Sequence, residues 1–253
     1  MNGERRQAEI LELAARQGYV SIDGLARHFE VTPQTIRRDI NRLCRDGTLE
    51  RHHGGALLRS TTHNVDYGAR KTLEPAAKEA IGRSVARHVP DGSSLFINIG
   101  TTTEAVARSL VGHAQLSVIT NNLNVAALLA GTTEFDVIVA GGLVRNRDGG
   151  IVGEATIDFI NQFKVDFGII GISGIDLDGT LLDFDYREVR VAQAIIRNAR
   201  TVFLVADHSK FGRGAMVRLG HVGDVRALFT DQAPPSPLAE VLDAHGVDVH
   251  VAR

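Results

Sequence analysis

Residues 32–46 read TPQTIRRDINRLCRD. Thr32 has the hydroxyl of a helix N-cap, and Pro33 suits the first helical position, where its missing N–H costs nothing. Ile36, Ile40 and Leu43 fall at i, i+4 and i+7, a single apolar stripe. The other face carries Gln34, Thr35, Arg37, Arg38, Asn41, Arg42 and Arg45, side chains that reach phosphates and base edges while leaving a dry seam to pack. The stretch is either a DNA recognition helix or an amphipathic helix with a solvated basic face, and its neighbours decide between the two.

Upstream, residues 4–17 read as a helix with Ile10, Leu11, Leu13 and Ala14 inward. Ser21 is placed to cap a short helix, Ile22–Phe29, that turns Leu25, Ala26 and Phe29 inward. Helix, helix, tight turn, basic helix is the helix-turn-helix order. Downstream, Leu49 starts the first arm of a hairpin, Gly54-Gly55 is a turn signal, and Ala56 to Arg59 return. A basic hairpin behind a recognition helix is a wing, which lies along the backbone or dips into the minor groove, and Arg51, His52 and His53 are expected at the DNA backbone.

The whole chain carries a net charge of −2, but residues 1–60 hold 10 Arg and no Lys against 8 acidic residues, leaving the remainder at −4. Arg37, Arg38, Arg42, Arg45, Arg51 and Arg59 lie close together, and such clustering matters more to phosphate contact than the total. The composition, 43% apolar and 23% charged, is that of a globular protein. No run approaches the roughly 18 apolar residues of a membrane span, and the N-terminus lacks a signal-peptide core. One cysteine, Cys44, excludes a disulfide framework and fits a reducing cytoplasm. Without CxxC or HExxH, no zinc site and no other metal or cofactor is expected.

The run VTPQTIRRDINRLCRDGTLERHHGGA resembles the N-terminal winged helix-turn-helix of DeoR-family bacterial repressors. The TIRRD segment followed by a wing of the RxHGGA kind is far more specific than a generic helix-turn-helix pattern, and it decides for the DNA reading. Residues 1–58 are then the DNA-binding domain. Since the N-terminal part of a recognition helix usually faces bases, Gln34, Thr35 and Arg38 are assigned to base edges. Arg37, Arg42 and Arg51 are assigned to phosphates, with Thr32, His52 and His53 completing the interface. Asp39, which does not suit phosphate, is expected to orient a neighbouring arginine.

Residues 59–75 lack periodicity and read as a tether. From Ala76 onward, where Ile81 and Val85 mark an opening helix, short apolar runs alternate with helical stretches. The strands are Leu95–Ile99, Leu116–Ile119, Phe135–Ala140, Phe167–Ile172, Thr201–Val205, Ala227–Thr230 and Val247–Val251. Strand–helix alternation predicts an α/β domain, residues 76–253, with a mostly parallel sheet and its ligand site beyond the carboxyl ends of the strands. Those ends carry Gly100, Thr101, Thr102 and Thr103 opening a helix, then Thr120, Asn121 and Asn122, then Gly141 and Gly142, and later Asp207 to Gly212. A helix N-terminus with hydroxyls makes an anion site, and the convergence favours one small, polar, phosphorylated ligand. GxGxxG, Walker and GxSxG patterns are absent.

The runs INIGTTT, VITNNLNVA, VAGGLVRNRDGGIVGEATIDFI, DFGIIGISGID, LLDFDYREVRVAQAII and FLVADHSKFGRGAM also resemble the DeoR family, whose effector domain is similar to sugar-phosphate isomerases. The resemblance covers nearly the whole chain. It implies a homodimeric or homotetrameric repressor released from operator DNA by a phosphorylated three-carbon metabolite, glycerol 3-phosphate being favoured. Carried over by position, Gly100 to Thr103 and Thr120 to Asn122 cradle phosphate, Lys210 supplies positive charge, and Gly141 and Gly142 line the pocket. Asp185, Arg187, Glu188 and Arg190 reach ligand hydroxyls, another subunit or neither. One departure is Asn98, where family members often carry Asp. The alternative function is an isomerase-like enzyme on a DNA-binding tether, with Asp176, Asp183, Asp185 or Glu188 as base; fold alone does not transfer activity, so no catalytic residue is assigned.

Overall fold

The computed structural model describes residues 3–17, 19–52, 54–58, 62 and 64–252. They form two compact units, Met1–Leu73 and Glu74–Arg253.

In the first unit, α1 (Gly3–Gln17), β1 (Tyr19–Ser21), α2 (Ile22–His28) and α3 (Pro33–Arg45) precede β2 (Leu49–His52), β3 (Gly55–Leu58) and α4 (Tyr67–Thr72). Both expected caps form: the Gly24 N–H donates to Ser21 Oγ and the Thr35 N–H to Thr32 Oγ1. Ile36, Ile40 and Leu43 pack with Ile10, Ala14 and Leu25. The wing differs from expectation in its turn. β3 begins at Gly55, paired with His52, so Gly55 is a strand residue and not a turn residue. It also pairs with Ser21 of β1, an unexpected third strand in the order β1-β3-β2. A Cβ on Gly55 would lie 2.1 Å from the Val20 carbonyl oxygen, so this crossing admits only glycine. The stretch read as an aperiodic tether contains α4, started by Asp66 Oδ1 accepting the Gly68 N–H; at six residues it is too short to show an apolar period.

The second unit opens with α5 (Pro75–Ala86). Then follow β4 (Ser94–Ile97), α6 (Thr101–Leu110), β5 (Ser117–Thr120), α7 (Leu123–Thr132), β6 (Asp136–Val139), β7 (Leu143–Val144), β8 (Ile151–Val152) and α8 (Glu154–Ile160). After these come β9 (Val165–Gly171), β10 (Gly174–Ile175), β11 (Thr180–Asp183), α9 (Tyr186–Asn198), β12 (Ala199–Val205), β13 (Val217–His221), β14 (Ala227–Thr230), α10 (Ser236–Ala244) and β15 (Asp248–Val251). All seven expected strands join one sheet in the order β15-β14-β12-β9-β4-β5-β6, every pairing parallel. Alternation splits the strands between two cores: Leu95 and Ile97 face Ile81, Val106 and Val125, whereas Phe96 and Ile170 face Ile157, Val191 and Leu238. The result is a three-layer α/β/α unit whose parallel strands end along one edge. Two small antiparallel elements, β7-β8 and β10-β11-β13, are too short to announce themselves in sequence.

Candidate functional site

The first candidate surface is the polar face of α3. Gln34, Arg37, Arg38, Asn41, Arg42 and Arg45 stand outside the core, and Thr35 is half-buried. Thr32 is exposed as well, its hydroxyl 3.0 Å from that of Thr35. Arg38, Asn41, Cys44 and Arg45 line an open depression of about 580 Å³. Arg51, on the wing, donates to Asn41 Oδ1, which ties the wing to the helix. His52 ends β2, and His53 lies outside the described residues. Asp39 is buried, and its partner is not an arginine of its own helix: Arg6 Nε donates to it at 2.6 Å and Gln7 Nε2 at 2.8 Å, both from α1. This clamp holds α3 against α1, while Arg37 and Arg38, the two residues before Asp39, stay exposed.

The second lies along the carboxyl edge of the parallel sheet. Gly100, at φ 148°, turns the chain from β4 into α6, whose N-terminus has no side-chain cap. Its first N–H groups therefore stay open to an anion. Thr101, Thr102 and Thr103 are buried there. The Thr103 hydroxyl is committed to the turn, 2.7 Å from both the Asn98 and Gly100 carbonyl oxygens. Thr120 Oγ1 donates to the Ile97 carbonyl and accepts from the Asn122 N–H. Asn122 Oδ1 caps α7 through the Asn124 N–H, and its Nδ2 donates to Glu104. Thr103, Thr120 and Asn122 thus shape the edge with the same groups that would otherwise meet a ligand.

Other polar atoms at this edge have no such use. Asn98 Oδ1, Asn121 Oδ1 and Thr230 Oγ1 are buried and unpartnered among the described residues. They follow β4, follow β5 and end β14 respectively, so all three sit at the same edge. An unsatisfied buried polar group costs about 1–3 kcal/mol; Asn98 and Asn121 follow adjacent strands, whereas Thr230 ends a strand three places from β4.

Positive charge comes from two lysines. Lys210 Nζ lies 3.2 Å from Ser209 Oγ and 3.8 Å from Asp207 Oδ2. Burial pushes the Asp207 carboxyl up, but Lys210, the Ser209 hydroxyl and Lys78 outweigh it and bring it to about 2. Lys78 is a buried residue of α5 that the sequence reading missed. The signal was present: Lys78 is in phase with Ile81 and Val85, a charge inside an apolar stripe. His208 completes this corner, its N–H and Nδ1 both bonded to Asp231 at 2.7 Å.

Gly141 and Gly142 follow β6, an edge strand, and are exposed. The Gly141 carbonyl accepts the Thr156 hydroxyl, and a Cβ on Gly142 would lie 2.1 Å from Thr156 Oγ1, so this pair packs against α8. Asp185 caps α9, and with Glu188 it binds Arg145, a buried arginine that no pattern in the sequence announced. Arg187 and Arg190 do not join the strand-end cluster; Arg187 lies 3.5 Å from Asp185, and Arg190 bonds the Tyr186 hydroxyl. Among the described residues no group of three or more metal-ligating side chains occurs, and no helix is long and apolar enough to cross a membrane.

Both units match known domain families. The DeoR-like helix-turn-helix domain matches residues 6–62 and the DeoR C terminal sensor domain residues 73–232. The glycerol-3-phosphate regulon repressor of Escherichia coli K12 is 53% identical over 251 residues, 99% of this chain and 100% of that protein. Its namesake in Haemophilus influenzae is 52% identical, covering 92% of this chain and 91% of its own. The HTH-type transcriptional repressor CsqR of E. coli K12 is 40% identical, with coverage of 98% and 95%. Among solved structures, ribose 5 phosphate isomerase A from Neisseria gonorrhoeae matches with a TM-score of 0.38 and 14% identity, covering 53% of this chain and 52% of that one. The chain belongs to the DeoR family, a DeoR-like helix-turn-helix domain joined to a DeoR sensor domain.

Proposed function

We propose that this protein is a cytoplasmic, oligomeric repressor of glycerol 3-phosphate metabolism genes, released from operator DNA when a polyol phosphate occupies the carboxyl edge of its sensor unit. The observation that carries the ligand reading is the pair of buried, unpartnered amide oxygens on Asn98 and Asn121, which follow the adjacent strands β4 and β5. The two amide oxygens accept hydrogen bonds and need donors, which a phosphate dianion lacks and a polyol supplies. The open N-terminus of α6 and the lysines Lys78 and Lys210 suit the phosphate. One small molecule carrying both groups can serve the adjacent ends of β4 and β5, and glycerol 3-phosphate is the first candidate because the relatives at 53% and 52% identity are named for it.

On DNA, Gln34, Thr35 and Arg38 read base edges, and Arg37, Arg42 and Arg51 hold phosphates, with Thr32, His52 and His53 at the rim. The sensor unit does not turn its ligand over. Three of the carboxylates that would serve as base are held by other groups, Asp183 accepting from Ser173 and Asp185 and Glu188 binding Arg145, and Asp176 is exposed.

The test is a mobility-shift titration on a duplex that the protein selects from a random-sequence pool. Glycerol 3-phosphate is expected to dissolve the complex and glycerol to leave it intact. Lys210→Ala is expected to keep binding DNA but to need at least about tenfold more glycerol 3-phosphate for release, the loss of one charge-assisted contact. Release at the wild-type concentration would remove Lys210 from the site, and a complex indifferent to the phosphate would overturn the effector.

A further inference from the structure

Between β6 and α8 the chain makes an excursion, residues 141–152, folded back on itself by the β7-β8 pairing. Its returning part lies against the carboxyl edge. The Ile151 N–H donates to the Asn121 carbonyl at 2.8 Å, Asn121 Nδ2 donates back to the Ile151 carbonyl at 3.0 Å, and the Leu123 N–H donates to the Gly149 carbonyl at 3.0 Å. A Cβ on Gly150 would lie 2.6 Å from Ile99 Cδ1, so the backbone itself seats against the loop that leads into α6. These bonds set the position of Asn121, whose Oδ1 is one of the three unpartnered atoms.

The excursion is fastened to α9 by two arginines, the exposed Arg147, which donates to Asp185 Oδ2 at 3.2 Å, and the buried Arg145. Arg145 donates to Asp148 through Nε at 3.1 Å and Nη2 at 2.6 Å. Its Nη1 reaches Asp185 Oδ2 at 3.0 Å and Glu188 Oε2 at 2.7 Å, both at the start of α9. Burial works against the charged guanidinium, yet Glu188 and Asp148 keep it more firmly protonated than an ordinary arginine. Asp148 also presents its carbonyl to Asn124 Nδ2, which in turn donates to Glu104 of α6. One guanidinium therefore links α9, the excursion and, through Asn124, the helix that opens the anion site.

Apolar burial accounts only for the returning arm, where Ile151 and Val152 are buried. Leu143 and Val144, the side chains of β7, are exposed, so polar bonds decide the position of that arm. A buried ion network is a weak source of stability, because desolvation offsets the attraction. What its fixed fork supplies is a single geometry.

We propose that Arg145 is a positioning residue for the effector: it never touches the ligand, but it holds residues 145–151 against Asn121 and so sets the ligand affinity. The proposal rests on the ligand reading given above. Lysine, a point charge on a flexible stem, cannot serve Asp148 with two N–H groups while reaching Asp185 and Glu188.

The experiment compares full-length wild type, Arg145→Lys and Arg145→Met. Amide hydrogen exchange without ligand reports the clasp alone. Leu123, Gly149 and Ile151 are expected to exchange at least about tenfold faster in both variants, while amides of β12 and β14 keep their wild-type rates. The glycerol 3-phosphate concentration that releases half of the bound duplex is expected to rise at least about tenfold in Arg145→Met and less in Arg145→Lys. If Arg145→Met does not fold, the lysine variant decides. Unchanged exchange at Leu123 and Ile151 overturns the clasp, and faster exchange with an unchanged release point overturns its role in ligand affinity. A wild-type complex that ignores the phosphate overturns the ligand reading instead, which the exchange arm keeps distinguishable.

Discussion

Asp207 and Asp39 are both buried carboxylates, and each is held by at least one partner distant in sequence. Asp39 follows Arg37 and Arg38 on the same helix, yet it is bound by Arg6 and Gln7, more than 30 positions away. Asp207 sits among Lys210, Ser209 and Lys78, which bring its carboxyl down to about 2. A depressed carboxyl contributes stability that is present above its unfolded pKa of about 3.9 and is lost as pH falls toward the folded value. Asp207→Asn is expected to cost the second unit roughly 2 kcal/mol at pH 7. In urea melts from pH 7 down to pH 2, the gap between wild type and variant is expected to close as pH falls below about 4; a gap constant with pH would remove Asp207 from the charge cluster. Lys210 and Arg37 can be singled out from the sequence because each lies in a recognisable local motif. Lys78 shows only as a charge inside an apolar stripe, and Arg145 and the Arg6–Asp39 pair cannot be assigned at all, since burial against a distant partner leaves no such motif.

At the scale of elements, helices are legible because their signals are local. The cap at Thr32, the proline after it and the stripe Ile36–Ile40–Leu43 all lie within one segment, and α3 forms as they dictate. Strand partners are another matter. β1 has three residues, too few for alternation, and it moves Gly55 from the turn into a three-stranded crossing. Gly55→Ala is expected to splay β1 from β3 and lower the thermal midpoint of the first unit, with operator affinity falling alongside as the wing shifts. Wild-type melting and wild-type shift titrations for this variant would show that the crossing tolerates a side chain. The same limit applies to β7-β8, whose two-residue arms are placed by Arg145 and by the Asn121 turn.

For the whole molecule, the consequence of a sensor and a DNA reader on one chain is thermodynamic linkage. If glycerol 3-phosphate weakens operator binding by some factor, operator must weaken glycerol 3-phosphate binding by the same factor. Calorimetry with and without the selected duplex is expected to return matching factors, within the span of about 5–150-fold usual for such coupling; a phosphate affinity unmoved by the duplex would mean that the two sites are not coupled.

Periodicity and local chemistry are enough to specify a winged helix-turn-helix with a basic face, and seven strands alternating with helices whose ends gather glycine, threonine and asparagine. They do not say which of those polar groups remain available to a ligand. In the folded chain Thr103, Thr120 and Asn122 close turns, while Asn98, Asn121 and Thr230 are left with unpartnered atoms at one edge. Whether a polar atom is satisfied depends on which strand lies beside it, and the strand order β15-β14-β12-β9-β4-β5-β6 is a property of the packed sheet, not of any single segment.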